Sequence, residues 1–155
     1  MKKFLPKLKN NTSGFTLIEL MVVVTIIAFL SVIGVAAFSN AQKQARDGRR
    51  RADIDAIATA MESNRTGAPG SETYPTYGPS IFANNQQPFD PVDTAKSGNA
   101  IAYGGNSYQY VVTVNASDPK FIACARLEKG NGNSSSETSI VTTGTLNFYC
   151  RAAQQ

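Results

Sequence analysis

Residues 13–30 read SGFTLIELMVVVTIIAFL, and inside that apolar run stands one acid, Glu19. The run lasts from Phe15 to Phe38, 38 − 15 + 1 = 24 residues. Wound as a helix at 1.5 Å per residue, it measures about 36 Å, enough to cross a hydrocarbon core of about 30 Å. A carboxylate placed in lipid costs several kcal/mol on most estimates, so Glu19 needs a partner or a purpose.

On the N-terminal side, residues 1–14 hold Lys2, Lys3, Lys7 and Lys9 and no acid. Of the 15 basic residues, 15 − 4 = 11 remain for residues 15–155, which also hold all 11 acids. The formal charge of +4 therefore belongs to the first 14 residues. The neutral remainder gives no electrostatic reason to expect a nucleic-acid partner. A secretory signal peptide opens in the same way but carries its small-x-small cleavage site after the apolar region. VAAFSN at 35–40 offers a weak site of that kind. Counting lysine and arginine around the run is close to a draw, because Lys43, Arg46, Arg49, Arg50 and Arg51 follow it closely. The cysteine pair and the Ser/Asn/Gly-rich remainder favour a cytoplasmic N-terminus and an outer C-terminal part.

The residues GFTLIEL at 14–20 sit behind a short lysine-rich leader and ahead of an uninterrupted apolar run. Together these closely resemble the processing signature of type IV prepilins and pseudopilins, over the first third of the chain. The resemblance implies that a prepilin peptidase cuts between Gly14 and Phe15 and that Phe15 is then N-methylated. Glu19 becomes the fifth mature residue, and Phe15, Thr16 and Glu19 form the assembly segment. The physics agrees with it. Cleavage creates a positive amine at Phe15, and a buried carboxylate is tolerated when paired with a cation and hydrogen-bonded. That amine is the chain's own, about one turn away, or, as the family implies, a neighbouring subunit's. Thr16 can add a hydroxyl donor.

Helical signals continue beyond Phe38. SNAQKQARDGRRRADIDAIATAMESN is rich in good helix formers. Ile54, Ile57, Ala58 and Met61 fall at i, i+3, i+4 and i+7, one helical face. One helix is expected from about Gly14 to about Ser63, roughly 75 Å long. Gly34 and Gly48 are its weak points. The run Arg49-Arg50-Arg51 beside Asp47, Asp53 and Asp55 reads as a solvated face with local Asp–Arg pairs. Inter-subunit ion pairs or contact with lipid headgroups are the alternatives.

The head begins with loops, NRTGAPGSETYPTYGPS at 64–80 and NNQQPFDPVDTAKSGNA at 84–100. SYQYVVTV at 107–114 and KFIACARL at 120–127 alternate as strands, joined by a turn at NASD, residues 115–118. SIVTTGTLNFYC at 139–150 holds one or two further β segments. The expected fold is α+β: a long N-terminal helix packed on a small antiparallel sheet, pilin-like by resemblance. Its parts are a leader (1–14), a membrane-spanning and polymerising half-helix (15–38), an amphipathic half-helix (39–63) and a head (64–155). The head has loops over 64–106 and strands over 107–150.

Two cysteines, Cys124 and Cys150, are far from C-x-x-C spacing and read as one structural disulfide in an exported chain, with two buried thiols as the alternative. There is no histidine, which removes the commonest general base and transition-metal ligand. No nucleophile or phosphate-binding motif stands out, and no enzyme activity or cofactor is expected. Major pseudopilins often bind calcium near the loop that PFDP at 88–91 resembles. Asp90, Asp93 and Asp118 could supply carboxylates, but ordinary loop roles are the preferred reading.

The expected function is a structural subunit of a type IV pilus-like filament. A pseudopilin of a type II secretion system is the alternative, and a signal-anchored extracytoplasmic binding domain the more distant one. Expected partners are further copies, other pilin-like subunits, the prepilin peptidase, the membrane and its assembly platform. The chain would start in the bacterial cytoplasmic (inner) membrane and end in a surface pilus or the periplasm.

Overall fold

The computed structural model describes residues 14–68, 70–98, 101–103, 105–115 and 120–153. The chain divides into a front unit ending at Ser39 and a second unit, Asn40–Gln155. Helix α1, Leu17–Ser63, is 47 residues long. No proline interrupts it, and its second half is rich in Ala, Arg and Gln, which lose little on entering a helix.

In the front unit the large apolar side chains from Phe15 to Phe38 are all exposed, from 48% for Val23 to 86% for Phe15. The best 18-residue window has a mean hydropathy of 2.8, so this part of α1 is long and apolar enough to cross a membrane. Its hydroxyls are satisfied locally. Thr25 Oγ1 donates to the Val22 carbonyl (2.8 Å) and Ser31 Oγ to that of Ile27 (2.7 Å). Such back-bonding leaves no bare donor facing an apolar solvent.

In the second unit α1 has a buried stripe: Asp47, Arg50, Ile54, Ile57 and Met61. The spacing of 3, 4, 3 and 4 keeps these residues on one face. Ile54, Ile57 and Met61 pack with Phe121, Ala123 and Ala125 and with Tyr74 and Ile81 from the loops. The small Ala123 and Ala125 leave room for the helix at the sheet surface. Asn64 Nδ2 donates to the carbonyls of Ala60 (2.9 Å) and Ile81 (3.0 Å), fastening the helix end to the following loop.

The sheet is antiparallel, in the order β3 (Tyr110–Val114), β4 (Phe121–Arg126), β5 (Phe148–Ala152). Its register sets Val112 opposite Ala123 and Cys124 opposite Cys150. The cysteines are disulfide-bonded and, with Ile122, fill the face away from α1. A second, two-stranded sheet joins β1 (Ile101–Tyr103) to β2 (Asn106–Tyr108). The fold is thus α+β and pilin-like, a long N-terminal helix with a small antiparallel sheet.

Three stretches depart from the sequence expectation. β1 and the first residue of β2 lie inside 64–106, where only loops are expected. The alternation at 107–114 is not one strand, because Gln109 separates β2 from β3. Both flanking tyrosines meet the helix. Tyr108 stacks on Arg50, 4.4 Å from guanidinium carbon to ring centre, and Tyr110 Oη donates to Asp53 at 2.6 Å. In 139–150 the strand begins only at Phe148 and runs on to Ala152. The preceding residues form a loop around buried Ser134. Its Oγ lies 2.9 and 2.8 Å from the carbonyls of Ser136 and Ser139 and accepts the N–H of Val141 (3.0 Å). Hydroxyl-rich segments take such local partners in place of a ladder.

The free edge of β5 is covered by residues 132–134. Asn133 N–H and Ser134 N–H both donate to the Phe148 carbonyl, and Phe148 N–H donates to that of Ser134. The Asn133 amide then copies a peptide unit: its Oδ1 accepts Cys150 N–H and its Nδ2 donates to the Cys150 carbonyl, both at 2.7 Å. Gly132 is required there, since a Cβ would collide with the Phe148 carbonyl.

Candidate assembly segment

Residues 14–16 precede the helix, and α1 starts at Leu17. Thr16 and Glu19 form a capping box. Glu19 Oε2 accepts Thr16 N–H (2.9 Å) and Thr16 Oγ1–H (2.8 Å), and Glu19 N–H lies 3.3 Å from Thr16 Oγ1. The pair satisfies N–H groups that the first turn leaves without partners. Glu19 is therefore held by its own chain in this structure. Phe15 lies outside the helix with its ring exposed, and no Cβ added at Gly14 would meet another atom. The Gly14–Phe15 peptide is thus in non-helical, uncrowded chain.

A second polar group, in the Asn40–Gln155 unit, surrounds Arg50. This side chain has 0% exposure. Its Nε and Nη2 donate to the two oxygens of Asp90 (2.8 and 2.9 Å) in a bidentate pair. Nη1 donates to Asp47 (2.9 Å) and Glu128 (2.8 Å). Arg46 makes its own two bonds to Glu128 (2.6 and 2.7 Å). Asp47 accepts the backbone N–H groups of Glu128 (2.8 Å) and Lys129 (2.9 Å). Burial opposes the charge on Arg50, but its bonds to Asp90 and Glu128 prevail and raise its pKa. The Arg46 bonds hold the Glu128 carboxyl below its usual range. One turn on, burial pushes Asp53 up, against the Tyr110 hydrogen bond.

The arginine run is thus not uniformly solvated. Arg49 projects outward, 3.8 Å from Asp53, and Arg51 donates to the Asn131 carbonyl (3.0 Å), but Arg50 is interior. Asp47 and Arg50 continue the stripe of Ile54, Ile57 and Met61 toward the N-terminus. Extending that spacing through charged residues is the signal that would have found the cluster.

The aspartates weighed for calcium have other partners. Asp90 is committed to Arg50. Asp93 accepts Gly98 N–H (2.8 Å) and Ser97 Oγ–H (3.2 Å). Asp118 lies outside the described residues, as do the leader lysines. Among the described residues, no group of three or more His, Cys, Asp or Glu side chains is arranged to hold a metal ion.

The chain matches no curated protein and no solved structure. Residues 9–35 match the prokaryotic N-terminal methylation motif. That match spans the Gly14–Phe15 peptide, the Thr16–Glu19 cap and the exposed apolar part of α1 as far as Val35. With this match at its front and an α+β, pilin-like fold behind it, the chain carries over residues 9–35 the signature found in type IV pilins and pseudopilins.

Proposed function

We propose that the chain is a structural subunit of a type IV pilus-like filament, cut by prepilin peptidase after Gly14 and polymerised through its N-terminal helix. The observation that carries this is the exposure of every large apolar side chain from Phe15 to Phe38 on a helix whose single acid there is Glu19. Such a surface needs an apolar environment. Lipid supplies one before assembly, and neighbouring helices supply one afterwards. Glu19, capped by Thr16 while the chain is alone, takes the N-methylated amine of Phe15 on a neighbouring copy as its partner in the filament. An ion pair in an apolar layer is favourable only when matched and hydrogen-bonded, so register between copies follows from it.

The partners are further copies, other pilin-like subunits, the peptidase and a membrane assembly platform. The role is structural, with the head outside the cytoplasmic membrane. The same chemistry serves a pseudopilin of type II secretion, and location separates the two. Intact and peptide masses would be taken from membranes and from the sheared extracellular fraction of the native host. A chain starting at N-methylated Phe15 in the sheared fraction supports a surface pilus. The same chain confined to membranes favours a pseudopilin. An uncut chain from a host with active prepilin peptidase would overturn the proposal.

A further inference from the structure

We infer that the cluster of Arg46, Asp47 and Arg50 is a conformational stop on α1. Unwinding that begins N-terminal to Arg46 ends at the cluster and does not enter the head. The contacts that form the stop lie within the Asn40–Gln155 unit, and the inference does not depend on filament formation.

From Leu17 to Ala45 the residues of α1 are exposed. The side-chain hydrogen bonds of Thr16, Thr25 and Ser31 stay within two turns of their own segment. At Arg46 this changes within one turn. Arg46, Asp47 and Arg50 reach three separate parts of the head: Asp90 in the loop ahead of β1, residues 128 and 129 after β4, and the ring of Tyr108 in β2. Arg46 also stacks on Tyr103, 5.3 Å from its ring centre.

The cluster opens as a unit. Moving Arg50 out leaves Asp90, Asp47 and Glu128 facing one another without their shared cation, and those carboxylates are nearly as buried as Arg50 itself. Pulling Asp47 away frees two backbone N–H groups of the turn after β4. A buried charge stranded in this way is heavily penalised, so partial opening has no cheap intermediate. The stop also lies where the helix is intrinsically weak. Gly48 sits between Asp47 and Arg50, and a Cβ there would meet nothing within 4 Å. Glycine lowers helix propensity at that point and serves no packing within the chain.

Hydrogen exchange read by mass spectrometry, on the full chain in detergent micelles, tests this. The expected wild-type pattern is fast exchange over 39–45 and protection from 46 onward. The step would be on the order of a hundredfold, as for a segment that opens only with its cooperative unit. Asp90→Asn and Glu128→Gln keep side-chain volume and remove one anionic arm each, so the head is expected to remain folded. Each should speed exchange over 46–53 by roughly tenfold or more while 39–45, already open ahead of the stop, stays unchanged. Three results would overturn the inference: no step near 46 in the wild type, variants that leave 46–53 unchanged, or variants that speed 39–45 as much as 46–53. The last would show that the cluster holds the helix on both sides of Arg46 and marks no boundary.

Discussion

From Leu17 to Phe38 helix α1 turns apolar side chains outward on every side. From Asp47 to Met61 it buries two charges and three apolar side chains against its own chain. The first half is rich in β-branched residues and the second in Ala, Arg and Gln, yet both are helical, so intrinsic propensity alone does not decide the helix. What differs is where the free energy of burial comes from. The second half has a face and finds its partner in the head. The first half has no face and needs partners the chain does not contain.

The largest test of that contrast is Arg50→Met. It leaves Asp47, Asp90 and Glu128 buried without their cation, and should lower head stability by about 3–5 kcal/mol in urea unfolding. Membrane partition, a property of the first half, should not change. If partition falls as well, the two halves are not independent. Cys150→Ser, with Cys124→Ser, opens a loop of sequence separation 26. On the chain-entropy model this costs about 3.5 kcal/mol, measured in the same unfolding experiment without reductant.

Acidity acts on the head through opposed groups. Glu128 is held below 4.5 chiefly by its Arg46 bond. Its contribution is therefore present above pH 4.5 and is lost as pH falls through its folded value. Asp53 is raised above 3.8 by burial. Its contribution has the opposite sign, present at low pH and lost as pH rises through its folded value. Stability should fall below pH 4.5 in the wild type, fall less in Glu128→Gln and fall more steeply in Asp53→Asn. A Glu128→Gln curve parallel to wild type would show that Glu128 is not the titrating group.

Two smaller effects address the helix itself. Thr16→Val removes the cap hydroxyl and should speed amide exchange over 17–20 roughly fivefold in micelles, leaving 46–63 untouched. Gly48→Ala should stabilise the helix by about 0.5–1 kcal/mol, since the added methyl meets no atom. A loss there would mean that something packs on Gly48.

The first half of α1 was legible because everything that defines it is local: Thr16 and Glu19 three residues apart, and a run of apolar residues. The stripe of Ile54, Ile57 and Met61 was legible for the same reason. The cluster was not, because Asp90 and Glu128 lie 40 and 78 residues from Arg50. A periodicity that counts apolar residues stops at Ile54, although the buried face continues through Arg50 to Asp47. In the head, strand alternation located β3 and β4 but missed the break at Gln109, because Tyr108 and Tyr110 on either side of it keep the same alternation. The segment 139–147 offered β-branched residues and became a loop, because Ser134 gathers its backbone.

Residues 132–134 along β5 have a consequence for how copies of this chain meet. A bare edge strand is a template for any other strand, and chains that aggregate often do so edge to edge. Here the chain lays its own residues on that edge and completes the ladder with an asparagine amide, at a spacing only glycine permits. A wrong mode of stacking is closed from within on that side. Asn133→Ala would therefore be expected to show itself first in solution behaviour at high concentration, as turbidity, and only second in the melting of a single molecule.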